Sequence, residues 1–105
     1  MSDRTLMLSL LQQMETVMRA HALWEVASPP PQAFDSQLPF CVDTMVFSQW
    51  LQWIFIARFR ALLEGGHPLP VSCNIAVMAE EAFKDMNPDL EELIGLLRQF
   101  DGFFE

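Results

Sequence analysis

The chain has 105 residues, 51% of them hydrophobic, and its fourteen acidic and six basic side chains give a formal net charge of -8. We expect residues 1–105 to form one domain, because this length is typical of a single domain with its own core. Phosphate binding requires clustered lysine and arginine, so the charge argues against direct binding of nucleic acid. An acidic surface favours solubility and attraction to a basic partner.

Apolar residues at spacings of three and four, from Leu6 to Trp24, predict an amphipathic first helix. We expect this helix to run from about Arg4 to Val26, because the triple proline that follows cannot continue it. Residues 28–46 have no regular periodicity. Their large apolar side chains predict an ordered crossover that is anchored on the bundle by Phe34, Leu38, Phe40 and Val42.

A second helix is predicted from Phe47 to Glu64, where a pair of glycines ends it. Its apolar residues occupy most of the helix circumference, which predicts burial among the other helices. Polar residues interrupt it too often for a membrane span, which needs about 20 predominantly apolar residues.

Arg58 falls within the apolar arc of this helix. A buried, unpaired guanidinium costs several kcal/mol, so the side chain must reach solvent at the end of the bundle or pair with a carboxylate. Asp43 and Asp35 are the candidate partners, and we predict that such a pair pins the crossover to the second helix. Alternatively, Arg58 lines a pocket for an anionic ligand.

Trp50 and Trp53 are three residues apart and therefore neighbours on the helix surface. Trp53 projects toward the polar strip of the helix, so we expect it to be partly covered. Together with Phe40, the tryptophans form a candidate interaction patch, because aromatic residues are enriched at binding hot spots. Packing in the core is the more common role of two tryptophans on a bundle helix, and it is the interpretation that we favour.

Two further helices complete the predicted fold. The third covers residues 75–85 and has one apolar side, formed by Ile75, Met78, Ala79, Ala82, Phe83 and Met86. Asn87 and Pro88 are typical of a helix start, and the fourth helix follows to about Phe103. Its core-facing residues are Leu90, Leu93, Ile94, Leu97, Phe100 and Phe104. We predict an all-α fold, a small four-helix bundle with a long ordered crossover between helices 1 and 2.

The sequence contains no recognisable catalytic or metal-binding motif. His21 and His67 have no companion at ligand spacing, and Cys41 and Cys73 are too far apart for a metal motif. We therefore predict no catalytic residues, no metal and no cofactor, and expect a protein that is not an enzyme. The amino-terminal segment lacks the continuous apolar core of a signal peptide, so we expect a cytoplasmic location and no membrane association.

The stretches LPFCVDTM, WLQWIFIARF and HPLP, together with WEVASPPPQAFDS before them, resemble the YqcC-like family. These are small bacterial helical proteins of unassigned activity, and the resemblance spans nearly the whole chain. The chain departs from the family pattern at Phe47 and Ala57, where prolines often occur. The resemblance implies an association with tRNA pseudouridine synthase C, whose gene often lies beside the family's. It does not imply that this chain isomerises uridine, which requires a much larger catalytic domain.

From the resemblance we expect a non-catalytic accessory or interaction protein that is linked to tRNA pseudouridine synthase C and tRNA modification. The candidate partner-binding residues are Phe40, Asp43, Trp50, Trp53 and Arg58. Two alternatives stay open. The chain could be a binding module for a small anionic or apolar ligand, or a homo-oligomeric structural module.

Overall fold

The computed structural model describes residues 3–84 and 90–104, and these residues form four helices and no strand. Helix α1 is Asp3–Ala20. Helix α2 covers residues 47–64 in three consecutive pieces, α-helical Phe47–Trp50, π-helical Leu51–Ile56 and α-helical Ala57–Glu64. Helix α3 is Ala76–Phe83, and α4 is Glu91–Asp101, followed by a 3-10 turn at Gly102–Phe104. The all-α prediction is confirmed, whereas Met86, Asn87 and Pro88 lie outside the described residues.

All four helices contribute to one hydrophobic core. Helix α4 packs against α1 and α3, and the carboxyl-terminal half of α2 packs against α1. Phe100 on α4 is fully buried, and its ring meets those of Phe55 and Phe59 edge-on, with centroid distances of 5.4 and 4.9 Å. Each residue predicted to face the core from α4 is buried or packs against the core. Leu96 and Asp101 are buried there as well.

Helices α1 and α2 end in the same left-handed turn. At the end of α1 the backbone of Ala22 has φ 59°, and the N–H of Leu23 donates to the carbonyl of Met18 at 2.8 Å. At the end of α2, Gly66 has φ 69°, and the next N–H donates back to Leu62 in the same way. This is the Schellman arrangement. The predicted end of α2 is therefore confirmed, whereas the prediction that α1 continues to Val26 is wrong.

The crossover between α1 and α2 is ordered, but its anchors differ from the predicted ones. It contains two 3-10 turns, Pro31–Asp35 and Pro39–Cys41. Its buried residues are Ala33, Cys41 and Met45, which form a small cluster with Trp50 and Ile54 of α2. Three of the four predicted anchors are exposed, namely Phe34, Leu38 and Val42. Ala33 and Cys41 lie in these turns and are buried, while their sequence neighbours Phe34 and Val42 are exposed.

A neutral amide, rather than an ion pair, pins the start of the crossover to α2. Gln52 is only 4% exposed, and its side chain exchanges two hydrogen bonds with the backbone of Glu25. The Glu25 N–H donates to Oε1 at 2.8 Å, and Nε2 donates to the Glu25 carbonyl at 2.7 Å. Gln49 adds a bond at 3.0 Å from the Val46 N–H and contacts the Glu25 carboxylate.

The predicted pin between Arg58 and Asp43 or Asp35 is wrong. Arg58 is exposed and forms no ion pair within the described parts of the chain. Asp43 accepts a hydrogen bond from the Ser36 hydroxyl instead. Arg58 continues the stripe of Trp50 and Ile54 at a spacing of four, but the crossover cluster covers only the first two positions. The charge therefore remains in water, and the bundle needs no partner for it.

The two left-handed turns give a matched stability test. We expect Ala22→Gly to raise the free energy of unfolding by about 0.5–1 kcal/mol, because glycine adopts positive φ without a steric cost. Gly66→Ala should lower it by about 1 kcal/mol, although no atom lies within 4 Å of an added Cβ there. Urea unfolding of both variants measures the effects. A destabilised Ala22→Gly protein would contradict this account of the end of α1.

The amide pin predicts a larger effect at Gln52 than at its neighbours. We expect Gln52→Leu to lower the free energy of unfolding by about 2–3 kcal/mol, because the Glu25 N–H and carbonyl lose their partners in a buried place. Arg58→Met, at an exposed position on the same helix, should change it by less than about 0.5 kcal/mol. Chemical denaturation of the two variants tests this, and losses of similar size would refute the pin.

Candidate functional site

An aromatic cluster joins the crossover to the start of α2. The Phe40 ring meets Trp50 edge-on at a centroid distance of 4.8 Å, and Phe47 stacks on Trp50 at 5.7 Å. Phe83 of α3 contacts Phe47 from the other side at 5.5 Å. Phe40 and the following Cys41 have φ values of 58° and 50°, which are costly for residues other than glycine. Packing around this cluster holds a strained backbone in place.

Beside the cluster lies an open apolar groove between the crossover and α3, which we call the α3 groove. Its volume is about 540 Å³, and it is lined by Phe40, Val42, Met45, Phe47, Met78, Glu81 and Ala82. Val42 is 68% exposed and Met78 is 37% exposed. The sequence pattern placed Met78 and Ala82 on the same side of α3 as Ala79 and Phe83. In the structure that side is divided, because Ala79 and Phe83 are buried with Ala76, whereas Met78 and Ala82 line the groove.

A second, smaller pocket of about 290 Å³ lies on the other side of Phe40 and Trp50, and we call it the Arg58 pocket. Its remaining wall is the segment before α3. The residues that line it are Phe40, Trp50, Ile54, Phe55, Arg58, Phe59, Pro70, Ser72, Cys73, Asn74 and Ile75. The pocket thus combines aromatic walls with one guanidinium that has no carboxylate partner among the described residues.

The wall of the Arg58 pocket is held by a buried carboxylate that sequence reasoning missed. Asp101, at the end of α4, is 7% exposed and accepts hydrogen bonds from the N–H groups of Ile75 and Ala76 at 3.1 and 2.9 Å. These donors belong to the start of α3, whose positive dipole end favours a negative charge. One signal was available, because Asp101 lies four residues after Leu97 on the buried stripe of α4.

The thiol of Cys73 donates a hydrogen bond to the same carboxylate at 3.0 Å. Burial raises the pKa of the Cys73 thiol, and the hydrogen bond and negative charge of Asp101 raise it further. This environment disfavours the thiolate, which is the nucleophilic form. Cys73 is therefore a structural thiol in the pocket wall.

Trp53 lies apart from both cavities. It is partly covered, as predicted, and its indole N–H donates to the Glu25 carboxylate at 3.3 Å. Of the five candidate residues, Phe40 lines both cavities, while Trp50 and Arg58 line the Arg58 pocket alone. Asp43 is exposed on the crossover and lines neither. The structure therefore brings together three of the five.

Five of the six basic side chains form an ion pair or a side-chain hydrogen bond within the protein, and two of them share one carboxylate. Glu15 of α1 binds Arg19 at 2.8 Å and Arg60 of α2 at 2.7 Å. Both guanidinium groups also lie near the ring of Trp24, at 5.3 and 6.0 Å from its centroid. Burial alone would raise the pKa of Glu15, but the hydrogen bonds and charges of Arg60 and Arg19 outweigh it and lower that pKa. This cluster joins α1 to α2.

The described residues contain no group of three or more histidine, cysteine or acidic side chains arranged to hold a metal ion. None of their helices is long and apolar enough to cross a membrane.

Comparison with known proteins places the chain in a family. A family model, DUF446, described as tRNA pseudouridine synthase C, matches residues 6–103. The protein YqcC of Escherichia coli is 35% identical over 94 residues, which are 90% of this chain and 86% of that protein. This chain belongs to the YqcC-like family. The solution NMR structure of Escherichia coli YqcC aligns with a TM-score of 0.85 and 33% identity, over 99% of this chain and 89% of that chain.

Two other relatives match over very different shares of their own length. An uncharacterized protein of Haemophilus influenzae is 43% identical over 84 residues, which are 80% of this chain and 78% of that protein. A protein of Pectobacterium carotovorum named tRNA pseudouridine synthase C is 36% identical over 74 residues. Those residues are 70% of this chain but only 20% of the Pectobacterium protein. In that protein, a YqcC-like segment is a small part of a longer polypeptide.

The environment of Cys73 predicts low thiol reactivity in the folded protein. In a Cys41→Ala background at pH 8, we expect a thiol reagent to modify native Cys73 at least about tenfold more slowly than the urea-unfolded chain, because each unit of pKa lowers the thiolate fraction about tenfold. Asp101→Asn should speed the native reaction by removing the opposing charge. Equal native rates with and without the carboxylate would contradict its role.

The same shift predicts a loss of stability at alkaline pH. Since burial holds the folded pKa of Cys73 above the ordinary thiol value of 9.0, the unfolded chain releases the thiol proton first as the pH rises. Stability therefore falls above about pH 9, where the unfolded state binds fewer protons than the folded state. Comparing unfolding free energies at pH 8 and pH 10.5 in the parent and in Cys73→Ala measures this, and the variant should lose less.

Proposed function

We propose that this protein is a non-catalytic partner of tRNA pseudouridine synthase C and acts in tRNA modification in the cytoplasm. The observation that carries the proposal is the Pectobacterium relative, which is named for this enzyme and contains the YqcC-like segment as one fifth of its length. Two segments in one polypeptide remain at high effective concentration. In our proposal this protein and the synthase are separate chains, and a non-covalent interaction between them takes the place of the covalent link in the Pectobacterium protein.

The charge of the chain supports the same partner class. An enzyme that holds tRNA requires a basic surface, because it must neutralise backbone phosphates. A protein with a formal charge of -8 is attracted to such a surface, and it gains nothing from contacting the RNA itself. Arg19 and Arg60 are also poorly suited to binding phosphate, because both are already paired with Glu15.

The cavities favour binding over chemistry. The α3 groove has only one lining side chain that is polar, Glu81, and this carboxylate forms an ion pair with Lys84 at 2.7 Å. An exposed apolar cavity of this kind is typical of a surface that a partner covers. We retain Phe40, Asp43, Trp50, Trp53 and Arg58 as proposed partner-binding residues, with Phe40 central because it joins both cavities.

The first test is co-purification of the tagged protein with untagged tRNA pseudouridine synthase C from the same organism, expressed together. We expect a stoichiometric complex on gel filtration whose affinity falls as salt rises from 50 to 300 mM, because the attraction is partly electrostatic and therefore screened by salt (at about 0.1 M the Debye length is already about 10 Å).

A parallel titration with purified tRNA should give no binding by the isolated chain at about 0.15 M salt, the physiological ionic strength. Failure of the synthase to bind at low salt would refute the partnership. Direct, tight binding of tRNA by this chain would overturn the charge argument.

A second candidate function is binding of a small anionic ligand in the Arg58 pocket. The observation that favours it is an exposed guanidinium without an ion partner in the described residues, set beside aromatic walls. Arginine binds carboxylate and phosphate groups in a bidentate manner. Native mass spectrometry of the purified protein tests this, since a bound metabolite that is lost in Arg58→Gln would support it.

A further inference from the structure

We infer that the α3 groove is the docking site for one amphipathic helix of tRNA pseudouridine synthase C, with apolar side chains facing the groove and lysine or arginine beside them. This inference rests on the proposed function and adds the surface and the form of the bound segment. Three observations carry it: the size of the groove, the near absence of polar groups in it, and the acidic net charge of the chain.

The groove is large enough to hold anchoring side chains. Its volume of about 540 Å³ lies within the range of about 300–1,000 Å³ that is usual for binding cavities. Six of its seven lining residues are apolar, and Val42 and Met78 expose 68% and 37% of their surface to water. Covering these side chains releases water from apolar surface, which is the main favourable term in protein association.

The chemistry of the walls selects a helix over an extended peptide. An extended segment brings backbone N–H and carbonyl groups that must find partners, and each buried unpaired group is costly. Apolar side chains dominate the groove, and the described residues offer no strand to which a peptide could add. A helix satisfies its own backbone and presents apolar anchors at spacings of three and four, as in other helix-in-groove complexes.

The charges around the groove determine which helix fits. Glu81 lines it with its side chain 69% exposed and is paired with Lys84, while Asp43 is exposed on the crossover, directly after the lining residue Val42 in the sequence. Asp43 and the formal net charge of -8 favour a helix with lysine or arginine beside its apolar face. A tRNA-binding enzyme supplies basic surface of this kind. The ring contacts of Phe40 with Phe47 and Trp50 hold the crossover wall in position before any partner arrives.

Two neighbouring residues of α3 provide the test. Met78 lines the groove, while Val77 is 61% exposed and lies outside it. We expect Met78→Glu to weaken binding of the intact synthase at least about tenfold, because a buried, unpaired carboxylate opposes docking. Val77→Glu adds the same charge to the same helix and should change the affinity less than about twofold. Isothermal titration at fixed salt measures both.

The crossover wall provides an independent pair. Val42→Glu should weaken binding to a similar extent, whereas Val26→Glu, at a position 97% exposed and outside the groove, should not. All four positions are exposed, so thermal unfolding followed by circular dichroism should show folded variants. A photo-crosslinking p-benzoylphenylalanine at position 78 then identifies the bound segment by mass spectrometry, with the same group at position 77 as the control.

The outcomes separate the two levels of the proposal. If the parent protein binds the synthase and Met78→Glu binds equally well, the groove inference is wrong and the partnership stands. If the parent does not bind, the partnership itself fails. Crosslinks to a non-helical segment of the synthase would refute the inference that the bound segment is a helix. A dimer of the parent that Met78→Glu dissociates, in the absence of synthase, overturns the choice of occupant in favour of a second copy of this chain.

Discussion

The position of the crossover depends on the two hydrogen bonds that the Gln52 side chain exchanges with the backbone of Glu25. These bonds fix the point where the chain, having left α1, meets α2. Gln52 belongs to the π-helical piece of α2. Gln49, one turn earlier, contacts the Glu25 carboxylate and accepts a hydrogen bond from the Val46 N–H at the start of the helix. A primary amide suits this place, because it both donates and accepts and carries no charge to desolvate. This contact therefore fixes the start of the crossover on α2.

The two cavities share one wall for the same reason. Once the crossover is fixed, its residues Ala33, Cys41 and Met45 pack on Trp50 and Ile54, and Phe40 is held against Trp50. The α3 groove opens on one side of Phe40 and the Arg58 pocket on the other. Asp101 completes the arrangement, because its bonds to the first N–H groups of α3 attach that helix to the end of α4. A neutral pin and a buried carboxylate thus position the candidate site.

Patterns with a regular period were sufficient to predict the fold class. The core stripe of α4 and the glycine end of α2 follow from the spacing of apolar residues and from backbone freedom at Gly66. The end of α1 was missed because Ala22 adopts a left-handed turn that alanine seldom signals. The division of the apolar side of α3 was missed because two of its residues, Met78 and Ala82, line a groove instead of a core.

Arg58 shows why the site was harder to predict than the fold. Its place on an apolar stripe is visible in the sequence, but how far the crossover covers that stripe depends on contacts between residues distant in the chain. The same limit applies to Gln52 and Asp101, whose partners lie 27 and 25 or more residues away. A polar residue on an apolar stripe indicates either a buried hydrogen-bond partner, as for Gln52 and Asp101, or the edge of the core, as for Arg58. The stripe alone does not distinguish between these two cases.

The groove and the acidic charge favour interaction with another protein when considered together. Each alone has an ordinary explanation, since acidic proteins are common and monomers do expose some apolar surface. Here, the groove leaves Val42 and Met78 in water although the chain has an ample core, and the chain that carries the groove has a formal net charge of -8. An apolar groove on an acidic protein is complementary to a helix with an apolar face and basic flanks. One relative contains the YqcC-like segment within a longer chain named for a tRNA-modifying enzyme, and the helix that we propose would be covalently within reach there.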